Sequence, residues 1–446
     1  MRPRTDFSRG SVKEHILAQA LPLTVAQLVQ LLYNVVDRIY IGHLPQGGEL
    51  ALTGLGICFP VIILIAAVTN LFGTGGATLF AIARGRGDTE EAEGIIGTVF
   101  TLLSGFSLLL MALCLLFRRP VLTLFGASPQ SLPFAERYLR LYLWGTPCSM
   151  IATGLNGYIN AQGFPRVGML TTVLGALINV LLDPIFIFVL DMGVEGAALA
   201  TVISQTVSAF WVMRFLLGKR AILRLKRQHL GVRRERLLPI LSLGLPGFVM
   251  QGTNSLVSIV CNNQLQLYGG DLYVGIMTVL TSVREMISVP LSGMTHGAQP
   301  VMGFNYGAGE KDRVKACIRF SAILGSCYLL LAWLAVFFLP EQLMGIFTED
   351  AATVSIGAQM LHIYFFGFVF MAFQSAGQTT FQALGKARQA IFFSLFRKVI
   401  IVVPLTLLLP ALGFGVKGVF LAEPVSNVLG GLAAFTTMYF TVYRKL

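Results

Sequence analysis

The chain has 446 residues, 55% hydrophobic and 12% charged, with a mean hydropathy of +0.74. Soluble domains carry about 25% charged residues, so this composition excludes a soluble globular protein and implies a polytopic, all-α membrane protein. The net charge of +12 does not indicate a nucleic-acid partner, because the basic residues lie in loops between apolar stretches rather than on one folded face.

Hydropathy and breaker positions predict twelve spans, each able to cross about 30 Å of hydrocarbon. They fall near 15–42, 52–82, 94–117, 134–161, 167–190, 194–217, 237–268, 272–304, 316–339, 353–383, 388–411 and 415–441. The first fourteen residues are polar and basic, and the apolar segment after them has no small-residue cleavage site, so span 1 is expected to stay in the mature protein. With both termini on one side, all but seven of the 33 Lys and Arg fall on that side; the seven are Arg38, Arg118, Arg119, Arg137, Arg140, Arg284 and Lys417. Lys and Arg concentrate in cytoplasmic loops, so both termini are expected in the cytoplasm. The six cysteines all lie in or at the ends of spans without a Cys-x-x-Cys pair, and read as packing residues.

The two halves repeat at an offset of 222 to 224 residues. Leu21-Pro22 matches Leu245-Pro246, Gly85-Arg86-Gly87-Asp88 matches Gly307-Ala308-Gly309-Glu310, the run Ala161 to Arg166 matches Ala383 to Arg388, and Gly193-Val194-Glu195-Gly196 matches Gly415-Val416-Lys417-Gly418. Six spans per half, an even number, give parallel repeats related by a pseudo-two-fold axis along the membrane normal. The expected organisation is an N-terminal six-helix lobe (1–217), a basic cytoplasmic linker (218–236) and a C-terminal six-helix lobe (237–446). The stretch Arg214 to Arg236 holds nine basic residues and one acid, Glu235, and reads as a solvated linker near anionic lipid heads, with a regulatory site as the alternative.

Two acids, Asp37 and Asp183, sit inside otherwise apolar spans. Each costs about 2.5–3.5 kcal/mol at the centre of a spanning helix, which points to ion coupling or transport. Asn179 and Asp183, four apart, share a helix face, as do Asn34 and Asp37, three apart. Pro184 cannot donate to the carbonyl of Val180, leaving a backbone acceptor beside the Asp183 carboxylate. Asp37, Asp183 and Thr201 all lie about 8–10 Å from the outer ends of their predicted spans, at one depth. The competing reading is interhelical hydrogen-bond glue, but glue contributes only about 0.6–2 kcal/mol and hardly offsets ionic burial.

The ordered set of features resembles the multidrug and toxic compound extrusion (MATE) transporters over essentially the whole length. It comprises the two six-span lobes, Leu-Pro opening spans 1 and 7, Gly73-Thr74-Gly75-Gly76 in span 2, Arg84 to Asp88, Ala161-Gln162-Gly163 and Gly193 to Ala197. Tyr33 to Asp37 and Met294 to Pro300 look most like the bacterial MepA-like branch. The resemblance implies a cation or proton site in the N-terminal lobe at the positions of Asp37, Asp183, Asn179 and Thr201, able to take Na+ or H+ as coupling ion. Asn156 matches another polar position of that lobe, although its predicted place is nearer the cytoplasmic end of span 4.

The repeat register puts Cys261 opposite Asp37, Leu405 opposite Asp183, Ile401 opposite Asn179 and Glu423 opposite Thr201, so the acid site is not duplicated. The C-terminal half instead carries Arg284-Glu285 within span 8 beside Met286 and Met294, with Gln251 and Asn254 in span 7 and Gln374 and Gln378 in span 10. A carboxylate among pliable Met side chains suits cationic amphiphiles, which makes Glu285 and these neighbours candidate substrate contacts. Adjacent residues point about 100° apart, so Arg284 need not neutralise Glu285 and is free to pair with another helix. His296 and Tyr33 read first as packing residues.

The sequence contains no phosphate-binding loop, metal-binding His pair or nucleophile elbow, so neither an enzyme nor a bound cofactor is expected and energy must come from an ion gradient. The expected function is efflux of small organic cations or amphiphilic drugs from a bacterial cytoplasmic (inner) membrane, in exchange for Na+ or H+, by a monomer. A lipid-linked precursor flippase and an ion channel are the alternatives, the first usually having extra spans and a strongly basic cavity.

Overall fold

The computed structural model describes residues 6–42, 44, 48–347 and 350–446, and no strand occurs among them. The chain opens with α1 (Val12–Gly42), α2 (Gly48–Gly85) and α3 (Thr89–Leu116), each long and apolar enough to cross a bilayer. After the short α4 (Arg118–Leu124), α5 (Leu132–Trp144) and α6 (Thr146–Ala161) make one crossing, interrupted at Gly145, where Pro147 cannot donate to the carbonyl of Leu143. Helix α7 (Pro165–Pro184) widens past Pro184 into a π turn at Ile185–Val189, and α8 (Gly193–Leu217) completes the first half.

Helix α9 (Arg234–Gly307) is 74 residues long and holds two crossings that part at Gly270, whose φ is +69°. Next come α10 (Lys311–Phe338), the short α11 (Pro340–Gly345), and a crossing built from α12 (Ala351–Phe365) and α13 (Met371–Ala383), bent by 42°. The eleventh crossing joins α14 (Ala387–Leu395), a π turn at Phe396–Val402 and α15 (Val403–Leu409). Gly413 and Gly415, with φ of +99° and +55°, turn the chain into α16 (Gly415–Met438). Counted this way, the described residues make twelve crossings in two halves of six, the number hydropathy predicts.

Three turns recur in register. Gly87 and Gly309, Gly163 and Gly385, and Gly193 and Gly415 all have positive φ, between +55° and +87°, which a side chain disfavours. Below the first of these turns the halves differ: Asp88 accepts from the Glu91 N–H at 2.9 Å and caps α3, whereas Glu310, one methylene longer, makes no such bond at the start of α10.

The described residues divide into two compact units, Leu21–Gly244 with the chain start through Phe7, and Leu245–Leu446 with Ser8–Ala20. In the first unit α2 packs on α3, α5 and α6, while α8 packs on α5, α6 and α7. The glycine run of α2 explains the closeness: a Cβ on Gly73 would sit 2.8 Å from the backbone of Gly154 in α6, and one on Gly75 would strike the α9 backbone at Ile240 and Gly244. Small residues of this kind let membrane helices approach and gain dispersion contacts that lipid otherwise supplies. In the second unit α16 is central, packing on α12, α13 and α15. Large apolar side chains such as Leu21, Leu124, Val189, Phe338 and Leu412 point outward, as a lipid-facing surface requires.

The basic linker is a strap on the first unit. Ala221, Leu223 and Leu225 are buried while Ile222, Arg224 and Lys226 are exposed, the period-two pattern of an extended chain lying on a surface. Gln162 Oε1 accepts from the Ile222 and Leu223 N–H groups at 2.8 and 3.0 Å, and Glu93 accepts from the Arg224 N–H at 3.2 Å and pairs with Lys226. Arg236 closes the strap on Glu91 at 2.8 Å.

Candidate functional site

In the first unit, α1, α7 and α8 bring the acids and their partners together. Asp183, fully buried, and Asn179 lie one turn apart on α7, and Thr201 comes from α8. With its amide nitrogen toward Asp183, Asn179 donates to Oδ2 at 3.0 Å, while its carbonyl oxygen faces the Thr201 hydroxyl at 3.3 Å and the Thr201 N–H at 3.2 Å. The Thr201 hydroxyl also lies 3.0 Å from the carbonyl of Ala197. Asp37, also buried, reaches the same place from α1, near enough for its charge to act on Asp183 and on Tyr33.

Of these four residues Asp37 lines a cavity of about 480 Å³, together with Tyr33, Asn34, Tyr142, Asn156 and Gln205 among others. No Lys, Arg or His is among the lining residues. Asn34 is exposed on that wall and accepts from Gln30 at 3.4 Å. Asn156 also lines the cavity, but its amide is engaged elsewhere: it donates to the Gly168 carbonyl at 3.1 Å and accepts from Thr171 at 3.2 Å, tying α6 to α7. Of the six predicted residues, Asp37, Asn179, Asp183 and Thr201 thus form one cluster, and Asn34 and Asn156 flank it.

The chemistry of that cluster favours a small cation. A carboxylate has about four lone-pair sites, and the one side-chain donor reaching Asp183 among the described residues is the Asn179 amide. Two neighbouring carboxylates, with no cation lining the cavity beside Asp37, repel one another, and a proton or a metal cation relieves that repulsion. The π turn that follows Asp183-Pro184 loosens the backbone ladder at the same point, a deformation often found at functional sites.

The predicted substrate contacts all lie in the second unit. Gln251, Asn254, Glu285 and Met286 are exposed on the second unit, while Met294, Gln374 and Gln378 are half-buried, Gln378 donating to the Ala390 carbonyl at 3.0 Å. Arg284 turns away from Glu285 and pairs with Glu423 of α16 at 2.7 Å.

Around Glu423 the structure holds a cluster that sequence reasoning missed. Arg397 and Lys398, counted by the charge rule as cytoplasmic, are buried in the π turn of the eleventh crossing and both reach Glu423 Oε1 at 3.1 Å. Arg397 also donates to Asn427 Oδ1 at 2.8 Å, and Arg284 donates to the Tyr364 hydroxyl at 3.0 Å. The signal was present: both cations stand about ten residues inside the predicted span 388–411, and the repeat register already pairs Glu423 with Thr201.

The MatE family model matches residues 22–185 and 235–408, one stretch in each half. A multidrug export protein, MepA, of Staphylococcus saprophyticus subsp. saprophyticus is 25% identical over 437 residues, covering 97% of this chain and 95% of that protein. Among solved structures, a MATE protein in complex with MaL6 superposes with a TM-score of 0.92 at 24% identity, covering 100% of both chains. The outward-facing conformation of a multidrug resistance MATE family transporter superposes with a TM-score of 0.91 at 24% identity, covering 100% of this chain and 99% of the other.

Proposed function

Because the chain belongs to the MatE family, we propose that it is a secondary active multidrug efflux transporter that moves organic, often cationic, compounds out of the cytoplasm in exchange for H+ or Na+, by alternating access. The observation that carries the coupling step is the convergence of Asp37 and Asp183 with Asn179 and Thr201, beside a cavity that Asp37 lines and no basic residue does. Binding of the coupling cation relieves the repulsion within the acid pair and repacks α1 against α7 and α8, which favours release of the organic substrate. Glu285, with Gln251, Asn254, Met286, Met294, Gln374 and Gln378, supplies the substrate contacts of the second half. Residues 1–217 and 237–446 act as the two lobes joined by the strap 218–236, with both termini on the cytoplasmic side of a bacterial membrane.

The energetics suffice with a single ion. One charge crossing 100 mV releases about 2.3 kcal/mol, which sustains roughly a 50-fold concentration ratio of a neutral substrate; for a monovalent organic cation the two charge movements cancel, and the ion's own concentration gradient supplies about 1.4 kcal/mol per tenfold. The test is efflux of a fluorescent organic cation from proteoliposomes under a Na+ gradient or a pH gradient imposed separately. One gradient is expected to drive uphill movement in the parent chain and to fail in Asp37→Asn and Asp183→Asn; wild-type coupling in both variants would sink the assignment.

A further inference from the structure

The repeat register relates the cavity of the first unit to the Glu423 cluster of the second. At the offset of 222, the cavity-lining residues Tyr142, Asn156, Gly175, Ala176, Ser204 and Gln205 correspond to Tyr364, Gln378, Arg397, Lys398, Ser426 and Asn427. Two of the smallest lining residues, Gly175 and Ala176, are therefore replaced by two long cations. Where the first half is open and acidic, the second is filled and basic.

The charge count in this filled region does not balance. Arg284, Arg397 and Lys398 face Glu423, the one carboxylate that pairs with them among the described residues, leaving a formal excess of two positive charges inside a membrane-spanning unit. With Lys398 neutral, two guanidinium groups would still face a single carboxylate. Uncompensated buried charge is strongly disfavoured, so the site as it stands calls for a counter-ion. The hydrogen-bond count says the same: Arg397 Nε and Asn427 Nδ2, donors on two buried residues, have no partner among the described residues. Unmet donors beside unbalanced cations select an acceptor with negative charge.

We propose that Arg284, Arg397, Lys398 and Asn427 form a binding site for one anionic group, a carboxylate or phosphoryl oxyanion, with Glu423 holding the cations in place. The oxyanion is either part of a transported organic molecule or a free inorganic anion, and the first source rests on the transporter reading above. The substrate range would then include organic anions or zwitterions beside cations, with the sign of charge sorted between the halves.

The test uses the full chain in detergent micelles, with its melting midpoint followed in sodium benzoate, sodium phosphate and sodium chloride at matched ionic strength. The expected result is a saturable rise in benzoate or phosphate, with Arg397→Gln requiring about tenfold more of the same anion, since a charge-assisted hydrogen bond is lost. Saturation by benzoate alone identifies an organic carboxylate as the occupant, and counterflow of radiolabelled benzoate in vesicles should follow; saturation by phosphate identifies a free inorganic oxyanion, and saturation by chloride alone would overturn the oxyanion assignment. Lys398→Gln, which keeps the Arg397 to Asn427 bond, serves if Arg397→Gln does not fold. Equal rises in all three salts, unchanged in the variants, would overturn the site. Asp183→Asn separates the two readings, because it should abolish coupled efflux and leave the anion-dependent midpoint intact.

Discussion

Replacing Glu423 by Gln keeps the shape of the side chain and removes the charge on which three cations converge. The three contacts run from 2.7 to 3.1 Å. At an effective dielectric constant near 20, each is a gross attraction of about 5–6 kcal/mol, offset by desolvation and by repulsion among the cations. Breaking a buried ion pair from one side costs about 3–5 kcal/mol, and the Gln oxygen still accepts one hydrogen bond, so we expect a loss of about 3 kcal/mol. That is roughly a hundredfold fall in the folded-to-unfolded ratio. Equilibrium unfolding of the micellar protein, followed by far-ultraviolet circular dichroism, measures it. The double variant Glu423→Gln/Lys398→Gln restores the original charge excess and should recover about 1 kcal/mol or more of the loss, a coupling typical of residues in one network. Simple additivity of the two single changes would show that charge balance does not govern this cluster.

Two further outcomes follow from packing in the first unit. Gly73→Ala forces α2 away from the Gly154 backbone of α6 and should cost about 1–3 kcal/mol in the same unfolding assay, whereas Gly56→Ala in α2, with nothing within 4 Å of the added carbon, should be neutral or slightly stabilising. Glu93→Ala removes the anchor shared by the Arg224 N–H and Lys226, so limited trypsinolysis within the strap should accelerate about tenfold or more while the helices stay intact.

The sequence exposed the crossings, the internal repeat and the acid cluster because each depends on local spacing. Twenty-residue apolar runs, glycines at matched turns and Asn179 four residues before Asp183 are all visible without knowing which helices meet. The hidden features depend on which helices meet or on a pattern passed over. Arg397 and Lys398 stand inside a predicted span, yet the charge rule, which counts residues by side of the membrane, absorbs them silently until the eleventh crossing and α16 place them against Glu423. The strap was masked by its own composition: nine basic residues suggest solvent, and the spacing of Ala221, Leu223 and Leu225 at every second residue is the weaker signal that wins.

The paired turn glycines have one more implication. Gly87 and Gly309, Gly163 and Gly385, and Gly193 and Gly415 hold the connecting backbones of the two halves in the same conformations, while the helix interiors between them carry opposite charge. Connector shape and interior chemistry are thus separable layers of the same architecture. A chimaera that grafts the interior of one half onto the connectors of the other should inherit working turns, so the polarity of each lobe becomes an exchangeable part.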